Sequence, residues 1–326
     1  MLKRTLTTVV AVLALAVAGC GGDDDDTTSS GGGGGGGVTT VKVATIPTAA
    51  AAPLFIGIDE GFFEQEGLRI KTQFAEGGAA IIPAVVSGDV QFGFGNTISL
   101  FIARQKNLDL PLVAAGQIAP AQASKDETAV MVRKDSRIRD IQDLRGATIG
   151  VNTLQNISEL SISAGLDKAG VDPKTIKYIE VGFPEALPAI RARRVPAAFF
   201  GEPFTTLARN DARVIFRPFS AGTPNGQIGA YFTSDREVKG NRDVVERFAR
   251  AMEKANRYAI DHPDAVRAAV PKFTQVPAAI AQKMRLPVFV PTIDPARLQG
   301  LADIATKYGL LKGKLDTAEM LLQRGS

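Results

Sequence analysis

Residues Ile82 to Asn96 read IPAVVSGDVQFGFGN, and 105 positions later Leu187 to Gly201 read LPAIRARRVPAAFFG. At that offset Pro83 falls on Pro188, Ala84 on Ala189, Val90 on Val195 and Phe94 on Phe199, and upstream Gly77 falls on Gly182. Each copy is a helix-like segment that breaks and then enters a short apolar run, so the repeat predicts one supersecondary unit used twice.

The flanking elements recur in the same order. Val41 to Thr45 (VKVAT) reads as a strand, Leu54 to Glu64 as a helix entered through Pro53, and Ile70 to Phe74 as a second strand. GGAAIIPAVVSGD is then a second helix and VQFGFGN a third strand. In the second copy Thr148 to Val151, Ile157 to Ala169 and Ile176 to Ile179 take the first three places. Strand-helix-strand units with right-handed crossovers build parallel sheets. The expected fold class is therefore α/β and two-lobed, each lobe a βαβαβ parallel-type sheet flanked by helices.

Asn241 is placed to cap a long amphipathic helix with the stripe Val244, Val245, Phe248, Met252, Ala255 and Tyr258, and ARLQGLADIATKYGLL reads as another helix. These are too few for a third lobe and are expected to pack back on the first. Chain crossings near Gly116 to Pro120 and Phe216 to Ala221 would put residues 38–118 and 219–326 in lobe 1 and 119–218 in lobe 2, joined by a two-strand hinge.

Upstream, Lys3 and Arg4 precede an apolar stretch from Val9 to Ala18. About ten apolar residues suit a signal peptide and are too short to span a bilayer. Val17-Ala18-Gly19-Cys20 resembles a bacterial lipobox, whose cysteine is lipidated and becomes the first mature residue. Residues 1–19 are then a lipoprotein signal peptide. Residues 20–37 are the lipidated Cys20 and a linker of aspartate, glycine, serine and threonine that can bury nothing. Seventeen such residues give a root-mean-square reach of roughly 20–25 Å. Cys20 is the sole cysteine, so no intrachain disulfide can form. The net charge of +4 is mild and spread out, which argues poorly for nucleic acid.

The run PTAAAAPLFIGIDEGFFEQEGLRIKTQFAEGGAAIIPAVVSGDVQFGFGN resembles the solute-binding proteins of bacterial nitrate, sulfonate and taurine ABC importers, the NMT1/THI5-like group. MVRKDSRIRDIQDLRGATIGV, LDKAGVDP and GEPF continue the resemblance in family order. It implies a type II periplasmic-binding-protein-like receptor, hinged and without cofactor, that traps a small molecule between its lobes. It also implies a monomer held on the outer face of the cytoplasmic membrane, with an ABC permease and its ATPase as partners.

In open α/β sheets the ligand crevice lies at the carboxyl ends of the strands, where helix N-termini present free N–H groups. Thr45, Thr48 and Leu54 follow the first strand, Gly78 and Ala79 start a helix, and Asn96 and Thr97 follow the third strand. Gln155, Asn156, Glu202 and Phe204 hold the corresponding places in the second lobe. Small residues admit a ligand to the backbone, and the amides and hydroxyls supply neutral donors and acceptors. The alternatives are structural: Asn96, Thr97 and Asn156 could cap the helices they precede, Glu202 could mark a corner before Pro203, and Phe204 and Phe55 could be core.

Where relatives carry Gly and Asp before the second-lobe strand, this chain has Arg193-Arg194-Val195-Pro196, and Gly201 stands where an aromatic often precedes Glu-Pro. There is no tryptophan, which weakens the expectation of an aromatic cage and hence of a thiamine-precursor pyrimidine. The candidate segments contain no Lys or Arg, so an anion would rely on helix N-termini. Glu202 would favour an amine on the same molecule, and a zwitterionic, taurine-like sulfonate meets both conditions.

An enzyme of the same fold is the main rival. Against it, the folded part has no cysteine, its one histidine, His262, sits before Pro263 where a helix must end, and no HExxH, CxxC or GxSxG occurs. A receptor serving a sensor in place of an importer would read the same lobes.

Overall fold

The computed structural model describes residues 37–323; the signal peptide, Cys20 and nearly all of the linker lie outside the described residues. In chain order the strands are β1 (Thr39–Thr45), β2 (Leu68–Phe74), β3 (Phe92–Asn96), β4 (Leu112–Ala115), β5 (Gln117–Ile118) and β6 (Ala129–Arg133). They continue with β7 (Thr148–Val151), β8 (Lys177–Glu180), β9 (Ala197–Phe200), β10 (Ala212–Phe216), β11 (Gly229–Phe232) and β12 (Val288–Phe289).

The first sheet has the order β2-β1-β3-β11-β4, and the second, read from the corresponding edge, β8-β7-β9-β6-β10. In the first, β1 runs parallel to β2 and β3, while β11 lies antiparallel between β3 and β4. In the second, β7 runs parallel to β8 and β9, and β6 lies antiparallel between β9 and β10. The sequence repeat is thus a repeat of topology. Its matched prolines, Pro83 and Pro188, both sit inside the helix before the third strand, Gly78–Ser87 and Phe183–Arg191, and Gly77 and Gly182 are both N-caps. The antiparallel fourth strand was not legible in the repeat, because each comes from a segment outside it.

Central strands read as unbroken apolar runs because both faces are covered: β11 (GAYF) and β9 (AAFF) are buried along their whole length. The edge strand β2 alternates and carries Arg69 and Lys71, which protects its open side. Gly93 in β3 has no room for a side chain, since a Cβ there would meet Ile81 at 2.5 Å and the Phe232 ring at 2.6 Å. The helix expected over Leu54 to Glu64 is divided into Ala52–Asp59 and Phe62–Gln65, with Gly61 between them in the left-handed region at φ 70°.

The helix Arg242–Asp261 packs on the first sheet as expected, with Phe248 stacked on Phe92 at 3.9 Å and 7°. Asn241 occupies its N-cap position but makes no capping bond; its side chain donates instead to Glu237 Oε1 at 3.0 Å. The second tail helix, Pro295–Lys307, is capped by Asp294, which accepts from the Ala296 amide. His262 ends the long helix, with Nδ1 3.0 Å from the Tyr258 carbonyl and the ring stacked on Tyr258.

The two sheets are joined through an antiparallel pair of connecting segments. Gly116 N donates to Gly229 O, Ile228 N to Gln117 O and Ala119 N to Gly226 O, at 2.9, 3.0 and 2.9 Å. β12 pairs with β5 on the far side. The second of these connecting segments lies a few residues after Phe216 to Ala221. That stretch is the end of β10 and the helix Pro218–Gly222, which is fastened to the second-sheet helix Ile157–Lys168. Lys168 Nζ donates to the Ala221 carbonyl at 2.8 Å, and the Ser161 and Thr223 hydroxyls lie 3.0 Å apart.

Candidate functional site

A cavity of about 70 Å³ lies between the sheets, at the end where the parallel strands of both terminate. Ile46 and Thr48 follow β1, Asn96 closes β3, Asn152 follows β7, and Gly201 and Glu202 follow β9. Because the fourth strand of each sheet runs the other way, it brings its beginning to the same place. Glu127 and Thr128 precede β6, Ile228 precedes β11 and Gly229 opens it.

Of the residues singled out from sequence, Thr48, Asn96, Asn156 and Glu202 line this cavity. Asn96 and Asn156 are also caps. Asn96 Oδ1 accepts from the Ser99 amide at 3.0 Å, and Asn156 Oδ1 from the Ser158 and Glu159 amides at 2.9 and 3.3 Å. Asn156 Nδ2 is spent on Asn152 Oδ1 and Thr153 Oγ1.

The others lie elsewhere. Thr45 and Leu54 are fully buried off the cavity wall, Leu54 in the core with Phe63 and Phe248. Thr97 gives its hydroxyl to the Gln227 carbonyl at 2.6 Å and so fastens a connecting segment. Gly78 faces Ser99, which a Cβ would meet at 2.8 Å, and Ala79 is the second residue of the helix Gly78–Ser87. Gln155 is exposed at φ 51°, outside the cavity. Phe204 stands behind the wall, its ring parallel to that of Phe183 at 6.2 Å, and Phe55 stacks on Phe273 at 4.0 Å.

Four phenylalanines form the apolar walls: Phe94 from the first sheet, and Phe183, Phe199 and Phe219 from the second side. Sequence reasoning sought aromatic residues next to the Glu-Pro pair and missed these, which sit one helix or strand away. Phe183 follows the matched Gly182 and Phe199 is itself a matched repeat position, so the repeat held a signal for both.

No Lys or Arg lines the cavity, whereas two carboxylates do. Glu202 Oε1 accepts from the Thr206 hydroxyl at 2.8 Å and the Arg285 amide at 3.2 Å, and Oε2 from the Thr206 amide at 3.0 Å. Burial nevertheless pushes its carboxyl above the usual range, with those bonds pulling the other way. Glu127 is 3% exposed and its Oε2 has no hydrogen-bond partner, and Gln117 Oε1 on the same cavity is likewise unpartnered. Among the described residues no group of three or more His, Cys, Asp and Glu side chains could hold a metal ion, and no helix is long and apolar enough to cross a membrane.

The walls touch directly at the rim. Asn152 Nδ2 donates to the Glu76 carbonyl at 3.0 Å; away from the cavity, at the far end of the helix Ile157–Lys168, Tyr308 donates to Asp167 Oδ2 at 2.7 Å. With the Ala49 amide on the Glu202 carbonyl at 2.9 Å, these contacts join elements of the two sheets in a closed arrangement.

The chain is 25% identical over 232 residues to a candidate ABC transporter periplasmic binding protein of Brachyspira hyodysenteriae, covering 67% of this chain and 64% of that one. It is 23% identical over 221 residues to the formylaminopyrimidine-binding protein of Halalkalibacterium halodurans, covering 67% and 65%. The matched region thus spans less than two thirds of the length of either relative. Among solved structures, the alkanesulfonate-binding protein SsuA of Xanthomonas axonopodis pv. citri, bound to MOPS, superposes with a TM-score of 0.72 at 18% identity, covering 87% of this chain and 98% of that one. The fold is accordingly that of type II periplasmic binding proteins. The sequence pattern of the family described as NMT1/THI5 like matches residues 48–266, well over half of the chain, and the protein belongs to that family.

Proposed function

We propose that this protein is an extracytoplasmic solute-binding receptor that closes on a small molecule between two lobes and presents it to an ABC permease and its ATPase. The observation that carries this reading is the cavity itself, walled by both sheets and bridged at its rim by the Asn152 bond to the Glu76 carbonyl. Ligand touching both walls favours the closed state, and an importer that reads closure then distinguishes loaded from empty receptor. The named relatives are binding proteins, which supports a receptor over an enzyme of the same fold.

The lobes we propose are residues 38–118 with about 224–326, and residues 119–223, a few residues beyond the expected boundary between 218 and 219. The antiparallel pair 116–119 and 225–229 serves as the two-strand hinge. The seating of Pro218–Gly222 on Ile157–Lys168 favours a second-lobe boundary near Thr223. For the N-terminus we propose a signal peptide over residues 1–19 and a lipidated Cys20 that tethers the monomeric receptor through its linker. Expressed in a bacterium, a Cys20→Ser chain should pass from the membrane fraction to the soluble fraction; unchanged membrane retention would reject the anchor.

The cavity supports a small, partly apolar solute more than a free anion. The amides at the nearby helix starts, which an anion would need, are occupied by Asn96 and Asn156, and no cationic side chain is present. On the measure of about 10–15 Å³ for one water, the cavity holds roughly five waters' worth of space, too little in this closed state for a many-ringed molecule. A thermal-shift panel of amines, pyrimidines, sulfonates, nitrate, bicarbonate and aromatic acids tests the reading. A true ligand should raise the melting temperature progressively with concentration and reduce the radius of gyration in solution scattering. Flat melting temperatures and an unchanged radius across the panel would defeat it.

A further inference from the structure

Three acidic side chains converge near the cavity, and two of them are fully engaged. Asp126 accepts from the Thr128 amide and hydroxyl at 2.9 and 2.6 Å, and from the Ser220 amide and hydroxyl at 2.7 and 2.9 Å. Glu202 is held by Thr206 and Arg285. Glu127 alone keeps a buried carboxyl oxygen without a partner, on the cavity wall.

The arginines nearby do not neutralise it. Arg217 Nη1 is tied to the carbonyls of Asp126 and Thr128 at 2.7 Å each, and Arg285 Nη1 to those of Ala123 and Asp126 at 3.0 and 3.2 Å. A buried acceptor left unpaired is costly, so a site that retains one is built for a donor that arrives from outside.

Resting on the receptor reading above, we propose that Glu127 is the residue that selects the ligand, and that the ligand is a small organic cation. Its ammonium or amidinium group would donate to Glu127 Oε2 and Gln117 Oε1, and its apolar body would lie against Phe94, Phe183, Phe199 and Phe219. Charge-assisted bonds of this kind are among the stronger ones, and aromatic walls add cation–π attraction.

The same geometry couples binding to a proton. Burial, reinforced by Asp126 and Glu202 and opposed by the Glu127 amide and Arg217, lifts the Glu127 carboxyl well above the usual carboxylate range. The empty receptor therefore holds this proton more tightly than an ordinary carboxylate would, and a docking cation displaces whatever proton is bound: carboxyl and ammonium become carboxylate paired with ammonium, and the proton passes to solvent. Affinity for the cation should rise as pH rises toward the raised value. Stability without ligand runs the opposite way. The folded chain holds this proton more tightly than the unfolded chain, so the contribution is fully present below the ordinary carboxylate range and is lost as pH climbs through the raised value.

The test is calorimetric titration of the full chain with acetamidinium, propylammonium and benzylammonium, against the size-matched anions acetate, propanesulfonate and benzoate. Titrations at pH 6 and pH 8, in two buffers of different ionisation enthalpy, count protons. At least one cation should bind, more tightly at pH 8 than at pH 6 and with proton release at one or both; Glu127→Gln should weaken it by about tenfold or more and abolish the release. The Glu127→Gln chain should also melt higher than wild type at pH 8 and alike at pH 4, which shows that it folds. Binding of anions without cations, cation binding untouched by Glu127→Gln, or binding without proton release would overturn the inference while leaving the receptor reading intact. Silence from every cation and every anion would overturn both.

Discussion

Phe248→Ala is expected to destabilise the protein by about 3–5 kcal/mol, the range for deleting a buried phenylalanine whose surroundings cannot collapse into the gap. Phe248 is fully buried in the middle of the helix Arg242–Asp261, and its ring meets three others. It stacks on Phe92 at 3.9 Å, tilts against Phe63 at 5.6 Å and meets the edge of Tyr231 at 5.9 Å. Phe92 and Tyr231 belong to the central strands β3 and β11, which cannot move inward without breaking the ladder between them. The cavity would persist, and the melting temperature should fall by roughly ten degrees in differential scanning calorimetry. Phe248→Leu, which keeps most of the volume, should lose less than half as much. A loss below about 1 kcal/mol for Phe248→Ala would mean that the helix does not hold the first sheet as its packing indicates.

That helix was legible in the sequence because one face is apolar every third or fourth residue, and the buried set Val245, Phe248, Met252 and Ala255 follows that stripe. The parallel strands were legible for a related reason: covered on both faces, they become short apolar runs bounded by turn residues. The site was half legible. Positions just after a parallel strand, such as Thr48, Asn96 and Glu202, follow from the rule that ligands lie at strand carboxyl ends. Glu127, Thr128, Ile228 and Gly229 do not, because they stand at the starts of antiparallel strands, and strand direction depends on which distant segment pairs with which. A local trace of them existed in DETAVMV, where two carboxylates run straight into a buried strand; unpaired charge beside an apolar run is seldom structural. Asn96 and Asn156 were ambiguous for a different reason: the chemistry that makes an amide a good ligand also makes it a good cap, and here both cap.

Glu202→Ala should weaken ligand binding without direct loss of a ligand contact, by loosening the closed state. The Glu202 carboxylate joins two parts of the structure. Thr206 lies in the first turn of Phe204–Leu207, just after the second-sheet strand β9. Arg285 follows Met284, which is buried in the core that also holds Ala51, Ile56 and Val266 beside the first sheet. Alanine leaves the Thr206 and Arg285 amides and the Thr206 hydroxyl without their acceptor. The amides' loss falls on the closed arrangement, since water can reach them once the walls part. If the empty wild-type chain divides about evenly between open and closed, weakening closure by about 2 kcal/mol raises the apparent Kd about fifteenfold, because only the closed fraction holds ligand. Glu202→Gln retains an amide oxygen able to accept from Thr206 or from Arg285, so it should recover part of the affinity. Solution scattering separates this from a damaged cavity: the ligand-free Glu202→Ala chain should have a larger radius of gyration than wild type and should contract when ligand saturates it. Weakened binding with an unchanged radius would place Glu202 in direct contact with the ligand, and unchanged binding would show that the tether does not govern closure.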